Sequence, residues 1–418
     1  MNQRLMWMVI GYLCAMALGP IANSTIWAAD IPVSGAPPMP AITPGGTCEP
    51  GVPQFDVAPG LKVTVAIDAP STARNDGSRF LEFDNFNNLY ISFPVSGRIC
   101  TYKLQPDGSY KFIAAVVTGK RTVHGMYFID GWLWYTTSGG IFKGKPREDG
   151  TALDEMTDII PDDGTLPKGG GHWWRSILVD HDGFYTSIGD TSNLNDLTKT
   201  DREKVWRYSL DGKTRTQFVG GIRNTEKLRF RPGTDEVWGC DHGSDNFGLL
   251  LGDKPGDQPI TDRIPGEEIN HYEAGKFYGH PFVVDANLIR PEFANLPNIK
   301  EIQANSTPPV FMLPAHFADC GWIWLDRDTA LGKQGDMIIT SHGSWNSTVK
   351  VGYCVSILKF DGAKPLAAHK IVSCISSDAK TVMGRPVDAV EEPGTDNLLF
   401  SVDAPRGRLY RISPASTP

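Results

Sequence analysis

The stretch of the chain with the most chemical potential is GGGHWWRS, residues 169–176. A neutral histidine can accept a proton near pH 7 and an arginine can bind an anion, so His172 and Arg175 are candidates for catalysis and ligand binding. The three glycines before them favour a tight turn or a close backbone approach. The apolar run SILVD follows and predicts a strand. The motif therefore predicts a functional loop directly before a strand. A histidine that is only packed and an arginine that only caps a turn would give the same sequence pattern.

Comparable polar clusters recur along the chain, each beside a predicted strand: GGIRNTEKLRF, CDHGSDN, SHGSWN and GRPVD. Their candidate residues are Arg223, Asn224, Gly243, Ser244, His342, Trp345 and Arg385. Any one of these arginines alone would more often be a solvated loop residue. Their repeated placement argues for a shared site, because arginines bind carboxylates bidentately and aromatic rings offer flat stacking surfaces. Together the clusters predict a pocket for a flat polyanion.

Six copies of one pattern explain how such distant clusters could meet. Each copy is an apolar or alternating strand, a turn rich in Asp, Gly or Asn, and a second strand, and the copies begin at residues 81, 126, 177, 228, 323 and 387. Hairpins that repeat every 45 to 60 residues or so are typical of propeller blades. The predicted fold is therefore all-β, a six-bladed β-propeller with four-stranded antiparallel blades, whose ligand site lies at the mouth of the central channel.

The N-terminal region predicts export. Residues 1–29 have one charge, a long apolar run and small residues near Ala28 and Ala29, as in a secretory signal peptide. Residues 30–60 are rich in Pro and Gly and predict an extended arm, and residues 61–418 contain the propeller with an insertion at about 249–308. A periplasmic or secreted location follows.

Composition excludes some functions. The formal net charge of -8 and the lack of basic runs argue against nucleic-acid binding. No later stretch is apolar enough to span a membrane, so no span is expected in the mature chain. Six cysteines remain after the signal peptide and allow 15 disulfide pairings. Cys354 and Cys374 flank a predicted hairpin and are the favoured pair.

The order of these motifs resembles the pyrroloquinoline-quinone (PQQ)-dependent soluble sugar dehydrogenases, the glucose, sorbosone and pyranose dehydrogenase group. GIRNTEKLRFRPGTDEVW followed by DHG, EEIN and YGHP is similar to their GLRN and YG-x-P segments. GGGHWWRS resembles their GGH-x-x-R segment, and LPAH, HGSWN and GRPVD match later motifs. The resemblance extends from about residue 81 to the C-terminus.

This resemblance implies roles for individual residues. It implies that His172 is the base that acts on the substrate hydroxyl and that Arg223 and Asn224 hold the quinone near its reactive carbonyls. Gly243 and Ser244 match calcium-ligand positions of such enzymes. The remaining matches imply cofactor contacts for Arg175, His342, Trp345 and Arg385. The implied cofactors are PQQ and Ca²⁺, the substrate is a sugar or a related aldehyde or alcohol, and electrons pass to a separate cytochrome or quinone acceptor.

The chain departs from the family pattern at several positions. Ser347 stands where an arginine is usual, and Lys350 is a candidate substitute for that cation. Trp174 occupies a position that is usually small, and Glu226 and Lys227 replace a Gln-Gly type pair. Two other functions therefore stay open: a calcium-dependent hydrolase of the lactonase type, and a propeller that only binds a partner or glycan.

Overall fold

The computed structural model describes residues 35–68 and 76–415, so the predicted signal peptide lies outside the described residues. The described chain is almost entirely β-structure, arranged as six antiparallel sheets in sequence order. The predicted six-bladed β-propeller is confirmed. Within the described residues, no helix is long and apolar enough to cross a membrane.

Four blades contain four strands each, in the following ranges. Blade 1 contains Leu81–Phe83, Asn88–Phe93, Arg98–Leu104 and Tyr110–Val117. Blade 2 contains Met126–Ile129, Trp132–Thr136, Ile141–Pro146 and Leu153–Ile160. Blade 3 contains Leu178–Val179, Gly183–Ile188, Lys204–Ser209 and Arg215–Gly220. Blade 4 contains Leu228–Phe230, Val237–Asp241, Glu267–Tyr272 and Phe311–Leu313.

The last two blades gain a fifth strand from the N-terminal arm. Blade 5 contains Asp319–Trp324, Met337–Ser341, Cys354–Asp361 and Lys364–Ser373, with Asp56–Val57 at its outer edge. Blade 6 contains Pro386–Glu391, Leu398–Val402, Arg408–Pro414, Leu61–Asp68 and, paired in parallel, Thr47–Cys48. The N-terminal strand Leu61–Asp68 is antiparallel to the C-terminal strand Arg408–Pro414, so the two ends of the chain close the ring.

The hydrophobic core lies between blades. Six clusters of buried apolar side chains each join two adjacent blades; for example, Tyr90 of blade 1 packs with Leu133 and Phe142 of blade 2. The first strands of neighbouring blades contact one another around most of the ring. Each blade is therefore covered by a neighbouring blade on both faces. This explains why the six repeated sequence patterns are rich in apolar residues.

The segment predicted as one insertion is divided by the third strand of blade 4, Glu267–Tyr272. The 3₁₀ helix Phe247–Leu251 lies before this strand. After it lie a hairpin of Val283–Val284 with Leu288–Ile289, the 3₁₀ helix Pro291–Phe293 and the α-helix Ile299–Asn305. Two small apolar clusters hold this insertion together, one around Phe247 and the other around Phe282.

The predicted disulfide between Cys354 and Cys374 is not formed, and the six cysteines at positions 48 and above are free thiols. Cys354 lies opposite Ser373 in the sheet, not opposite Cys374. Cys374 follows the end of the strand Lys364–Ser373 and packs into the core between blades 5 and 6.

Candidate active site

A cavity of about 460 Å³ collects the predicted motifs at one end of the propeller. Its lining comes from the residues just before the first strand of a blade or just after the second strand. In an antiparallel sheet these two positions lie at the same end, so the repeat brings distant clusters together. A wider cavity of about 800 Å³ adjoins it, and the two share Arg79, Trp174, His342 and Arg385.

His172 lines the smaller cavity with an uncharged ring. Its backbone N–H donates to the carbonyl of Asp190 at 3.3 Å, which fixes the loop, while its Nδ1 is buried without a hydrogen-bond partner. Burial, with the nearby positive charge of Arg223, lowers the pKa of His172 to about 2. The imidazole is therefore neutral near pH 7 and keeps an unprotonated nitrogen that can accept a proton.

The two tryptophans after His172 separate the cavities. The rings of Trp173 and Trp174 lie 3.6 Å apart between centroids, and the guanidinium of Arg79 lies 4.0 Å from the ring of Trp174. His124 contacts the same ring, with centroids 4.6 Å apart. Trp174 is thus held in place by Trp173, Arg79 and His124, and it lines both cavities.

Arg223 is buried in the cavity wall and held by fixed acceptors. Its Nε donates to the carbonyl of Asn193 at 2.9 Å, its Nη2 to Oδ1 of Asn193 at 3.0 Å and its Nη1 to the carbonyl of Gly243 at 3.0 Å. Asp245 lies 3.6 Å from Nη2 and balances the charge. These three contacts orient the guanidinium, and one N–H of Nη1 makes no hydrogen bond to another residue that the structure describes.

Asn224 presents an unpaired acceptor to the same cavity. Its backbone N–H and that of Arg223 both donate to the buried carboxylate of Asp241, at 2.6 and 2.8 Å. Its Nδ2 lies 3.0 Å from Nδ1 of His242 and 3.3 Å from Oε1 of Glu226. Its Oδ1 has no partner although the residue is only 3% exposed, which is unusual for a buried amide oxygen.

The two predicted metal positions follow blade 4's second strand. The carbonyl of Gly243 accepts from Arg223, and its N–H donates to Oε2 of Glu267 at 3.3 Å. Ser244 is buried, and its hydroxyl accepts a hydrogen bond from Arg290. Gly243 lines the cavity, and a small adjoining space is lined by Arg223, Gly243 and Ser244 together. The two predicted metal positions therefore lie next to Arg223.

Arg385, His342 and Trp345 form the opposite wall. Arg385 donates through Nε to the carbonyl of His342 at 3.1 Å and through Nη2 to that of Gly343 at 2.9 Å. None of its hydrogen bonds among the described residues reaches a carboxylate, so its charge is balanced less locally than that of Arg223. Trp345 is 79% exposed at the rim of the cavity.

Two predicted cofactor contacts lie away from the cavity. Arg175 is fully buried and donates to the carbonyls of Ser138, Ser187 and Pro167, so its guanidinium joins loops of blades 2 and 3. Lys350 is exposed, and its Nζ donates to the carbonyl of Lys380 at 3.1 Å. The structure therefore does not bring Arg175 and Lys350 together with the other predicted site residues in the cavity lining.

Sequence reasoning missed a charged network in the cavity. Arg79 donates to Glu226 at 2.8 Å and to Asp403 at 2.9 Å, and Asp403 also lies 2.9 Å from Nε2 of His342. Burial alone would lower the pKa of Arg79, but the two carboxylates outweigh it and raise the pKa. Arg79, Arg223 and Arg385 each lie within five residues before the first strand of a blade. This shared placement was the signal available in the sequence.

Two groups of described residues have side-chain atoms close enough for a metal ion, namely Glu226, His242 and Cys320, and Asp190, Glu203 and His280. The carboxylate of Asp190 in the second group already accepts hydrogen bonds from His280, Ser192 and Asn195. Both oxygens of Asp190 are therefore engaged, whereas Oε2 of Glu203 in the same group is buried without a hydrogen-bond partner among the described residues.

The comparisons with known proteins agree with the observed fold. The TrAA12-like family model matches residues 73–386. An uncharacterized protein of Borreliella burgdorferi is 28% identical over 259 residues, which cover 59% of this chain and 62% of that protein, so the match spans less than two thirds of its length.

Three solved structures share the fold. The holo form of the pyranose dehydrogenase PQQ domain from Coprinopsis cinerea superposes with a TM-score of 0.70 and 18% identity, covering 88% of this chain and 99% of that one. The calcium structure of Trichoderma reesei Carbohydrate-Active Enzymes Family AA12 gives 0.71 and 17%, with 88% and 98% covered. The apo soluble aldose sugar dehydrogenase of Escherichia coli gives 0.58 and 17%, with 85% and 100% covered. The TrAA12-like family model, unlike these structures, is matched by sequence, and it covers well over half of this chain. The chain therefore belongs to the TrAA12-like family, and this confirms its resemblance to the PQQ-dependent sugar dehydrogenases.

Proposed function

We propose that the protein is an exported quinoprotein dehydrogenase that oxidises a sugar, or a related aldehyde or alcohol, with PQQ and Ca²⁺ as cofactors. One observation carries the proposal. A neutral His172 lines the same cavity as an oriented Arg223 and the unpaired amide oxygen of Asn224. A base, a cation and a free polar atom converge where a substrate and an anionic cofactor could meet.

The residues present fit a flat anionic quinone. Arg223 has an unused N–H, and Arg385 donates to backbone carbonyls rather than to a carboxylate, so both favour an anionic ligand. The buried Oδ1 of Asn224 has no hydrogen-bond partner among the described residues, and a polar ligand would satisfy it. The cavity volume of about 460 Å³ lies in the range of small-molecule sites.

The residues also fit calcium as an oxygen-seeking ion. Gly243 offers a carbonyl with one lone pair engaged by Arg223, and Ser244 follows it in the chain. Asp245 and Glu267 line the same cavity and offer carboxyl oxygens. Ca²⁺ takes carbonyl and carboxylate oxygens together, so Gly243 and Ser244 would hold it.

The chain's own residues would do the following chemistry. An unprotonated ring nitrogen of His172 would take the proton of the substrate hydroxyl while a hydride leaves the carbon that bears this hydroxyl. Arg223 stabilises the negative charge that develops on the accepting group. PQQ, when bound, would supply the two-electron acceptor. The sequence has no CxxCH haem-attachment motif, so the electrons would pass to a separate cytochrome or quinone.

Titration of the apoprotein with PQQ in the presence and absence of Ca²⁺ tests this function. Binding is followed by cofactor absorbance, and dye reduction is then measured with a panel of aldoses and related aldehydes. We expect calcium-dependent binding and dye reduction by at least one substrate. Binding of calcium without PQQ, together with lactone hydrolysis, would favour the lactonase alternative, and binding of neither would favour a non-catalytic propeller.

The proposed export has a separate test. N-terminal sequencing of the protein produced with its complete sequence is expected to begin near residue 29 or 30. A protein that retains Met1 in the cell would contradict the periplasmic or secreted location.

A further inference from the structure

The floor of the cavity holds three different metal-ligating side chains. Glu226, His242 and Cys320 each offer one atom, and these atoms all lie within 4.8 Å of one another. All three residues line the cavity, so an ion could reach them from it. Glu226 and Cys320 are 2% and 3% exposed, which makes this a buried cluster and not a patch of surface charge.

The donor set identifies the class of ion. A carboxylate, an imidazole and a thiolate are ligands of zinc and of other thiophilic divalent ions, whereas calcium takes oxygen atoms only. Three protein ligands beside an open cavity also leave a fourth position free for water or a ligand. We propose that Glu226, His242 and Cys320 form a binding site for a thiophilic divalent cation, distinct from the calcium positions at Gly243 and Ser244.

A second observation supports the site. The Asn224 side chain lies between two of the three ligands, with its Nδ2 3.0 Å from His242 and 3.3 Å from Glu226, and its Oδ1 has no partner. The two ends of an amide are assigned from hydrogen bonding, and rotation of this side chain would present the oxygen to an ion instead. Nε2 of His242 is also buried without a partner. The cluster therefore contains more unpaired polar atoms than its own residues can satisfy.

The local charge favours a divalent ion. Arg79 carries one positive charge and is paired with two carboxylates, Glu226 and Asp403, which leaves this buried network with one negative charge in excess. A divalent ion that displaces the proton of Cys320 brings the sum to zero. Oε2 of Glu226 is taken by Arg79 and faces His124 at 3.3 Å, but Oε1 has only the long contact with Asn224 and remains able to bind.

Zinc alone is the probe for the first test. The complete mature protein is stripped with a chelator, placed in excess Ca²⁺ and titrated with Zn²⁺ against a chromophoric zinc indicator. We expect one Zn²⁺ per chain, and Cys320→Ser should weaken binding by about 100-fold or more, because even residues behind metal ligands matter by 10- to 100-fold. Cys100→Ser is the matched control, since Cys100 is equally buried but lies between blades 6 and 1, and it should bind as the wild type does.

Cobalt gives a readout that does not depend on a variant folding. Co²⁺ bound by the wild-type protein should show a thiolate-to-metal charge-transfer band in the near ultraviolet, and this band should persist in Cys100→Ser. Absence of the band in the wild type, or zinc binding that Cys320→Ser leaves unchanged, would overturn the proposal. Neither measurement requires PQQ, so the result is independent of the proposed dehydrogenase function.

Discussion

Two sets of polar side chains around the cavities differ in how their atoms are paired. In the first set, Nδ1 of His172 and Oδ1 of Asn224 are buried without partners among the described residues. In the second set, Arg79 pairs with Glu226 at 2.8 Å and with Asp403 at 2.9 Å. Unpaired buried atoms cost stability and persist where a ligand completes them, whereas ion pairs hold the lining in shape. We therefore expect changes in the first set to affect chemistry and loss of Arg79 from the second set to affect folding.

Replacing His172 with alanine should have the largest effect. Loss of the base should lower the rate of substrate oxidation by about 10²- to 10⁴-fold, the usual contribution of a general base. PQQ binding should change little, because the ring is not a charge partner. Single-turnover reduction of the bound cofactor measures the rate, and equal losses of rate and of cofactor affinity would contradict the role.

Replacing Arg79 with methionine should destabilise the ion-paired set of Arg79, Glu226 and Asp403. It leaves the buried carboxylates of Glu226 and Asp403 without their cation, which typically costs about 3 to 5 kcal/mol. Urea unfolding measures the change. Arg121→Met is the control, because Arg121 lines the adjoining cavity but is exposed, and its effect should be within about 0.5 kcal/mol. Equal effects of the two substitutions would mean that the network contributes little.

The dependence of stability on acid pH should report the unpaired, uncharged state of His172 in the folded protein. Burial lowers the pKa of His172 to about 2, whereas a histidine in the unfolded chain titrates near about 6.5. Between these values only the unfolded chain binds the proton, so stability falls as the pH falls below about 6.5. From pH 7 to pH 5 this group should cost about 2 kcal/mol.

His172→Gln should remove that part of the acid dependence, as measured by urea unfolding at several pH values. His181→Gln is the control for the loss of an exposed histidine side chain. An identical slope in wild type and His172→Gln would show that His172 takes up its proton in the folded protein.

The smallest effect is expected at Lys350. Its side chain is exposed and bonded to a backbone carbonyl at 3.1 Å, away from the cavity lining. Lys350→Gln should therefore change PQQ affinity by less than about twofold, a difference below roughly 0.5 kcal/mol. A large loss of affinity would restore the idea that Lys350 replaces the arginine that Ser347 lacks.

The sequence was sufficient for the ring of blades but not for side-chain direction. Repeated turns and alternating strands predict six blades because each pattern is local. Arg79 was missed because its partner Asp403 is 324 residues away and reaches it only when the ring closes. Arg175 was assigned to the cofactor because its spacing from His172 cannot show that its guanidinium turns toward the carbonyls of Ser138 and Pro167.

Arg223 lines the cavity whereas Arg175 does not, and this difference tests the proposed cofactor site directly. Calorimetric titration of PQQ in the presence of Ca²⁺ should be made on the wild type, Arg223→Gln and Arg175→Gln. Arg223→Gln should weaken binding by about 10- to 150-fold, because a charged hydrogen bond contributes roughly 1.5 to 3 kcal/mol. Arg175→Gln should lower stability but leave the Kd of the folded protein within about twofold. The reverse order, or a wild-type protein that binds no PQQ with calcium present, would contradict the central claim.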